Sequence, residues 1–409
     1  MRIGIVLSNT PQYSETFFVN KIKGLSESGF SIMIFANKSK EGYKHILLKN
    51  VLLVEPYKIS KISLIQYIKT LYVIFILILR CPLRMMKFLK LERNDNLTWL
   101  KALENLYINA HILPYSLDWL HFGFATMGLR RENAARAINA KSAASFRGYD
   151  VKIYALKNRG CYNKLFERLD KVHSISNDLY NFAVKLNLPS RTDYMKITPA
   201  IDISKFRQNT FNETVSRDCI RILSVGRLTW KKGYEYALEA MAILNRKQIK
   251  FEYTIVGAGE DSEQLVFAAH QWGISDKVRF LGKQSHDRIA ELMTQNYIYL
   301  QPSVQEGFCN AALEAQASGL LCIVTDAEGL PENVLDKKTG FVVPKRNPQA
   351  IADKIEEIIA MPVIDKKVII SSAVLRVQKE FNLEKQIKEF IKFYTEMPSK
   401  CEGESIHEN

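Results

Sequence analysis

Short apolar runs alternate with stretches of helical periodicity along most of the chain. Residues 3–7, 32–36 and 51–54 read as buried strands, and residues 14–28 have helical spacing that stops at Gly29. Strands are predicted again at 117–122, 143–146, 171–175 and 195–197. Residues 199–214 are polar and irregular and read as a linker. A second series then opens, with strands at 220–225, 253–256, 278–280, 298–300, 321–324 and 341–343. Helices fall between and after them at 234–244, 262–272, 289–293, 310–317, 348–360 and 373–379, and an amphipathic helix follows at 384–395. Strands that alternate with helices argue for parallel, doubly wound sheets. The pattern predicts an α/β protein with an N-terminal domain over 1–200, a C-terminal domain over 201–383, and a last helix at 384–397 packing back on the first domain. In such sheets ligands bind at the carboxyl ends of the strands, here in a cleft between the two domains. The polar tail after Pro398 is expected to be disordered.

Residues 58–93 break the rhythm. Residues 71–79 are nine consecutive apolar or aromatic residues, against the ~20 that a spanning helix needs. Lys58, Lys61, Lys69, Arg80, Arg84, Lys87, Lys90 and Arg93 surround them, with Glu92 opposed, and Pro82 separates two helical stretches. Basic and apolar residues interleaved in this way suit a segment that lies on an anionic membrane surface. Two core helices with a solvated basic edge are the plainer reading.

Composition adds compartment and charge. With 409 residues, 47% hydrophobic and 24% charged, the chain fits two globular domains. The first run, M-R-I-G-I-V-L-S, is too short for a signal peptide, and the six cysteines form no CxxC pair. A reducing cytoplasm is expected, with no metal site. Charge is uneven: residues 1–200 carry 30 Lys and Arg against 14 Asp and Glu, and residues 201–409 carry 27 against 29. The first half therefore faces something anionic. Nucleic acid, a membrane surface or a phosphorylated lipid would all qualify by charge, and of these a membrane surface met by residues 58–93 is expected and nucleic acid is not.

The candidate chemistry lies in the second half. E-G-F-C-N-A-A-L-E at 306–314 follows a strand and opens a helix. Gly307 allows close backbone approach, and the amides of Phe308, Cys309 and Asn310 at the helix start make an anion site. Glu306 and Glu314 on either side would repel a phosphate but suit sugar hydroxyls. By spacing alone the pair could equally be a loop residue and a surface helix residue. The second element, V-G-R-L-T-W-K-K-G at 225–233, places Arg227 and Lys232 on one strand-to-helix turn, where two cations suit adjacent phosphates.

With these motifs the chain resembles the family-4 retaining glycosyltransferases of the GT-B fold, whose two Rossmann-like domains face across a cleft. The match covers G-R-L-x-x-x-K-G at 226–233, I-V-G-x-G at 255–259, V-x-F-L-G at 278–282, P-S-x-x-E-G-F-x-N-A-x-L-E at 302–314, G-L-P-E at 329–332 and T-G-F-V-V at 339–343. P-x-x-S-E-T-F at 11–17 is similar to a subgroup that builds cell-surface polysaccharides. The resemblance implies that Arg227 and Lys232 hold a donor diphosphate with the amides around 308–310. It implies that Glu314 accepts from the ribose and Glu306 from the transferred sugar, these three charged groups at the reacting end (Arg227, Lys232, Glu306) being the catalytic ones. Arg279, Phe280 and Gly282 would line the base pocket and Gly257 and Gly259 the turn beside it. Ser14 and Glu15 would lie across the cleft. The implied partners are a nucleotide-diphosphate sugar and a saccharide acceptor, preferably lipid-linked, with no cofactor and no metal.

Three departures stand out. Arg147, in S-F-R-G-Y-D, replaces a His common near the donor sugar, and would meet an acidic sugar or phosphate, or pair with Asp150. The usual N-G-x-D turn reads Pro199-Ala200-Ile201-Asp202, and Leu321 replaces a common Pro. His121, at a strand end, is either a satisfied structural histidine or an acceptor contact. A dinucleotide oxidoreductase lacks its G-x-G-x-x-G here. A GT-B phosphorylase, a sugar-nucleotide epimerase and a non-enzymatic basic membrane-binding module are the remaining alternatives.

Overall fold

In the computed structural model, which describes residues 1–11, 16–39, 50–60, 62–206 and 219–396, the chain divides into two units. One comprises the described residues of Met1–Ile175, Tyr180–Ile197 and Ile387–Asn409, the other those of Ser176–Leu179 and Thr198–Gln386.

The first unit is a seven-stranded parallel sheet in the order β3-β2-β1-β4-β5-β6-β7. Its strands are β1 (Arg2–Asn9), β2 (Ser31–Asn37), β3 (Val51–Val54), β4 (Trp119–Phe122), β5 (Lys141–Phe146), β6 (Lys171–Ser174) and β7 (Asp193–Lys196). The second is a six-stranded parallel sheet in the order β10-β9-β8-β11-β12-β13. Its strands are β8 (Ile220–Val225), β9 (Phe251–Val256), β10 (Val278–Phe280), β11 (Ile298–Gln301), β12 (Leu321–Thr325) and β13 (Phe341–Val343). Both are Rossmann-like α/β units. Central strands such as β4, β11 and β12 are buried at every position, as parallel strands covered on both faces must be.

Departures from the periodic reading are local. After α1 (Thr16–Glu27), the apolar run at 71–79 is the second half of an 18-residue helix, α2 (Ser63–Arg80), which by length and composition alone could cross a membrane. Gln66 and Thr70 hid its first turns from an apolar count. Pro82 starts α3 (Pro82–Asn94), as its place at a helix N-terminus allows. The next helix, α4 (Trp99–Asn109), escapes the pattern because its buried face includes Asn105 and Asn109. Asn105 Nδ2 donates to the buried Glu92 carboxylate (2.6 Å), which also accepts from Asn133 (2.9 Å). The helix read at 373–379 is the end of Val363–Glu380. Helix Asn177–Lys185 lay unrecognised.

The last helix, Leu383–Thr395, contributes Phe390, Phe393 and Tyr394 to the core of the first unit. A buried polar chain anchors it. Trp119 Nε1 donates to the Tyr394 carbonyl (3.1 Å), and the Tyr394 hydroxyl reaches His121 Nδ1 (2.7 Å). His121 Nε2 then meets Ser145 Oγ (2.7 Å), Ser145 meets His173 Nδ1 (2.8 Å), and His173 Nε2 donates to the Ile197 carbonyl (2.9 Å). Because that final carbonyl can only accept, each proton in the chain has one consistent position, with both imidazoles neutral. Burial, then the nearby Lys21, holds both histidines well below the usual imidazole range. His121 is thus wholly buried and held at both nitrogens. The acceptor contact considered from its place at a strand end is replaced by this structural role.

Two outcomes follow. Tyr394→Phe leaves His121 Nδ1 without its donor and should lower the unfolding free energy by about 1–3 kcal/mol in chemical denaturation. A histidine whose folded pKa is depressed loses stability as pH falls below its unfolded value of 6.5. Melting temperature should therefore drop between pH 7 and pH 5, each buried histidine contributing up to about 2 kcal/mol. An unchanged melt across that window would contradict the neutral pair.

Candidate functional site

The strand order of the second unit creates the site. From β8 the chain winds through β9 and β10 on one side, then returns to β11 on the other. Connections leaving β8 and β11 diverge, which opens a crevice at the carboxyl ends of these neighbouring strands. Residues 226–233 leave β8 and residues 302–309 leave β11, so both charged motifs arrive at this switch point.

Main-chain contacts bind the loops to each other. Gly226 N donates to the Val256 carbonyl (2.9 Å), Leu228 N to Ala258 (3.1 Å) and Gly257 N to Gly282 (2.9 Å). Val304 N and Gln305 N both donate to the Lys231 carbonyl, at 2.8 and 3.1 Å. Glycine is required at two of these contacts. A Cβ on Gly257, at φ +146°, would stand 1.8 Å from the Gly226 carbonyl oxygen. One on Gly233, at φ +62°, would stand 2.2 Å from that of Pro302.

The side chains then meet. Lys232 Nζ contacts Glu306 Oε2, with side chains 19% and 15% exposed. Burial works against the charge on Lys232, but the Glu306 carboxylate outweighs it and holds the ammonium above its ordinary pKa. Burial, then the adjacent Arg227, lowers Lys231. Arg227 and Lys231 thus stand close enough to the Lys232–Glu306 pair to act on it, and Glu328 and Glu260 act on Lys231 as well. Lys231 was missed in the sequence, although it stands in the same K-K pair. Beneath them the Tyr234 hydroxyl is buried without a hydrogen-bond partner among the described residues.

Helix Asn310–Ala317 starts directly after Glu306–Cys309. The expectation of three open amides there is corrected. Cys309 N donates to Asn333 Oδ1 (2.9 Å) and Asn333 Nδ2 returns to the Cys309 carbonyl (3.0 Å), so only Phe308 and Asn310 remain for a ligand. Asn333 follows G-L-P-E directly, and only the fold shows what it holds. Burial pushes the Cys309 thiol up to about 11, which keeps it protonated. The Phe308 ring packs on Phe381 (5.7 Å), turned into the protein. Glu314 is half-buried, and burial raises its carboxyl to about 7.

Other expected residues are placed differently. Gly259 packs on Leu228, and Gly282 stands at φ +65° beside Gly257, at the same edge. Arg279 instead pairs with Glu252 (3.1 Å), the second residue of β9 and far from its carboxyl end, and Phe280 packs against the core. Arg279 therefore points away from the crevice, whereas Phe280 ends β10 at the same carboxyl edge as Gly282. The Arg147 guanidinium stacks over Phe17 (3.9 Å) and Phe18 (4.7 Å) in the first unit. Asp150 accepts from the Arg147 backbone amide (3.1 Å). Ser14 and Glu15 lie outside the described residues.

Glu314 yields a prediction with a definite sign. A carboxyl raised from 4.5 to about 7 keeps its proton in the folded state, so stability falls as pH rises through that window. Glu314→Gln should melt higher than the wild type at pH 8.5, by the equivalent of about 1–3 kcal/mol, and no higher at pH 4.5. A pH-independent difference would show that burial does not set this group.

Comparison with known proteins places this geometry. Residues 206–376 match the family described as glycosyl transferases group 1. The chain is 25% identical over 412 residues to WcaL of Escherichia coli (strain K12), a protein assigned to colanic acid biosynthesis, covering 93% of this chain and 96% of that one. It is 27% identical to the amylovoran biosynthesis glycosyltransferase AmsK of Erwinia amylovora, over 69% of this chain and 71% of that one. Among solved structures, Anabaena HepE in complex with UDP-glucose superposes with a TM-score of 0.67 at 14% identity, over 96% of this chain and 98% of that one. The fold is shared at that level. The glycine-bound loops and their charged residues fall within the matched region, and residues 206–376 form a domain of the group 1 glycosyl transferases.

Proposed function

We propose that the chain transfers a hexosyl group, with retention of configuration, from a nucleoside-diphosphate sugar to a lipid-linked saccharide in exopolysaccharide, capsule or lipopolysaccharide assembly. The observation that carries this reading is the Lys232–Glu306 contact, with Arg227 and Lys231 around it, at the switch point of the second sheet. Excess cation at a helix start is suited to a diphosphate, and Glu306 is suited to a sugar hydroxyl beside it. The polysaccharide roles named for WcaL and AmsK and the UDP-glucose named for HepE support the same donor and product class.

In the proposed step the C1–O bond to the diphosphate breaks while an acceptor hydroxyl bonds C1 on the same face. The hydroxyl proton passes to the departing phosphate oxygen. Arg227, Lys231, Lys232 and the amides of Phe308 and Asn310 stabilise the charge that develops there, without a metal. Glu314 accepts from the ribose. A diphosphate entering the site takes Lys232 from Glu306, which frees that carboxylate for the sugar.

The reading includes a cytoplasmic protein peripheral on the inner face of the membrane. α2 buries Val73 and Leu77 but exposes Leu64, Tyr67, Ile68, Leu71, Phe75 and Leu79. The chain turns straight into α3, whose Met85, Phe88 and Glu92 are buried in the same unit, so α2 lies against that unit. Lys58, Arg80, Lys87, Lys90 and Arg93 are exposed around it, whereas Glu92 and Asp95 turn inward to Asn and Lys partners. An apolar face ringed by cations fits an anionic bilayer surface.

Lys232→Ala and Arg227→Ala should each lower transfer at least about 10²-fold, the order found when one transition-state donor is removed. Far-UV circular dichroism should stay unchanged, EDTA should leave the rate intact, and NMR should show the donor's anomeric configuration in the product. A nucleoside diphosphate at about 100 Kd should stabilise the protein by roughly 2.7 kcal/mol. If UDP, GDP and ADP all leave the melt unmoved, the donor reading fails. In flotation assays the chain should bind anionic but not neutral vesicles, and release with salt. Equal binding to both would overturn the membrane reading.

A further inference from the structure

The exposed helices of the first unit enclose a groove that surface docking does not explain. It lies between α2 and α4, has a volume of about 570 Å³, and is walled by Ile59, Tyr67, Leu71, Leu103, Tyr107 and Ile108 among others. That volume lies within the ~300–1,000 Å³ of ordinary small-molecule sites. Yet the groove has almost no polar group left to offer. Gln66 accepts from Ser60 N (2.8 Å) and donates to Thr70 (3.4 Å), whose hydroxyl is spent on the Gln66 carbonyl (2.8 Å). The Tyr107 hydroxyl donates to the Lys58 carbonyl (3.0 Å). Apart from Ser63, Glu104 and Arg130, a polar ligand would find its partners among the described residues already taken, whereas a hydrocarbon chain removes apolar wall from water by entering.

Charge identifies the other end of the occupant. Lys58 adjoins the lining residue Ile59, Lys101 adjoins Leu100, and both are exposed. Arg130 is itself part of the lining. It donates to Asn105 (2.8 Å) and Glu104 (3.0 Å), and Glu104 is the one acid in the wall among the described residues. Cations at the rim of an apolar slot complement an anionic headgroup on an aliphatic chain.

We propose that this groove takes one acyl chain of an anionic phospholipid drawn from the bilayer, with its phosphate held at the rim by Lys58, Lys101 and Arg130. The proposal deepens the membrane reading above and rests on it for the source of the lipid. A chain withdrawn into the protein fixes the rotation of the first unit on the membrane, which an amphipathic face alone leaves free.

The test uses the full chain and dioctanoyl-phosphatidylglycerol below its critical micelle concentration, so that no bilayer is present. Titration calorimetry should show one saturable site per chain, with at least tenfold weaker binding of dioctanoyl-phosphatidylcholine. Leu103→Trp, which fills the groove from α4, should lose binding at least tenfold. Ser63→Phe, which fills it from the exposed first turn of α2, provides the same test if the first variant misfolds. Phe75→Ser on the outward face should leave monomer binding unchanged while weakening vesicle binding. Vesicle binding without any monomer binding would overturn the groove inference and leave surface docking standing. Monomer binding without vesicle binding would do the reverse. Equal affinity for the two headgroups, or dimers in light scattering that Leu103→Trp abolishes, would also overturn it, the latter by making a second copy the occupant.

Discussion

The backbone-to-backbone approach of the loops at the carboxyl edge of the second sheet is the constraint on which the site depends. Gly257 against the Gly226 carbonyl and Gly233 against Pro302 leave no room for a Cβ. That closeness allows the Lys231 carbonyl to take two amides from the β11 loop. With the main chain so joined, Lys232 and Glu306 have little choice but to meet. The cations come from one connection and the carboxylate from another, and neighbouring strands hold their relative position rigidly. A larger side chain at either glycine would part the loops before it touched any ligand.

The anchor of the last helix and the strand-end crevice handle buried polarity in opposite ways. In the first, Tyr394, His121, Ser145 and His173 satisfy one another in a closed series that ends on a carbonyl. Such a network favours a single arrangement of the last helix because every alternative leaves an imidazole nitrogen unpaired. In the second, the Tyr234 hydroxyl has no partner among the described residues and Glu314 is driven toward its neutral form by burial. Groups left short of partners at a strand-end crevice are what a binding site requires, since a ligand can supply what the fold does not.

The first unit also keeps an unusual amount of apolar surface in the open. α2 is an 18-residue helix held by two buried side chains, and its neighbour α4 adds exposed Trp99 and Leu100. Apolar side chains exposed in this number on adjacent helices mark an interaction surface. Glu92 and Asp95 point inward to satisfied positions and the exposed Glu104 is paired with Arg130, so the outward field is positive. Hydrophobic and electrostatic attraction therefore act at the same place.

Much of this was legible in the residues alone. Alternating apolar runs set the two parallel sheets, because a strand buried on both faces must be apolar throughout, and β8, β10 and β13 begin and end where that pattern places them. The E-x7-E and G-R-L-x-x-x-K-G motifs located the charged groups, because glycine and charge at strand ends have few structural uses. Partnership was not legible, since it depends on which strands become neighbours. Only the fold brought Asn333 to close the Cys309 amide, paired Arg279 away from the crevice with Glu252, and turned His121 into a link between β4 and the last helix. The length of α2 and the groove beside it were equally hidden. Periodicity reports how a residue faces its own element, and the partner it meets there comes from another part of the chain.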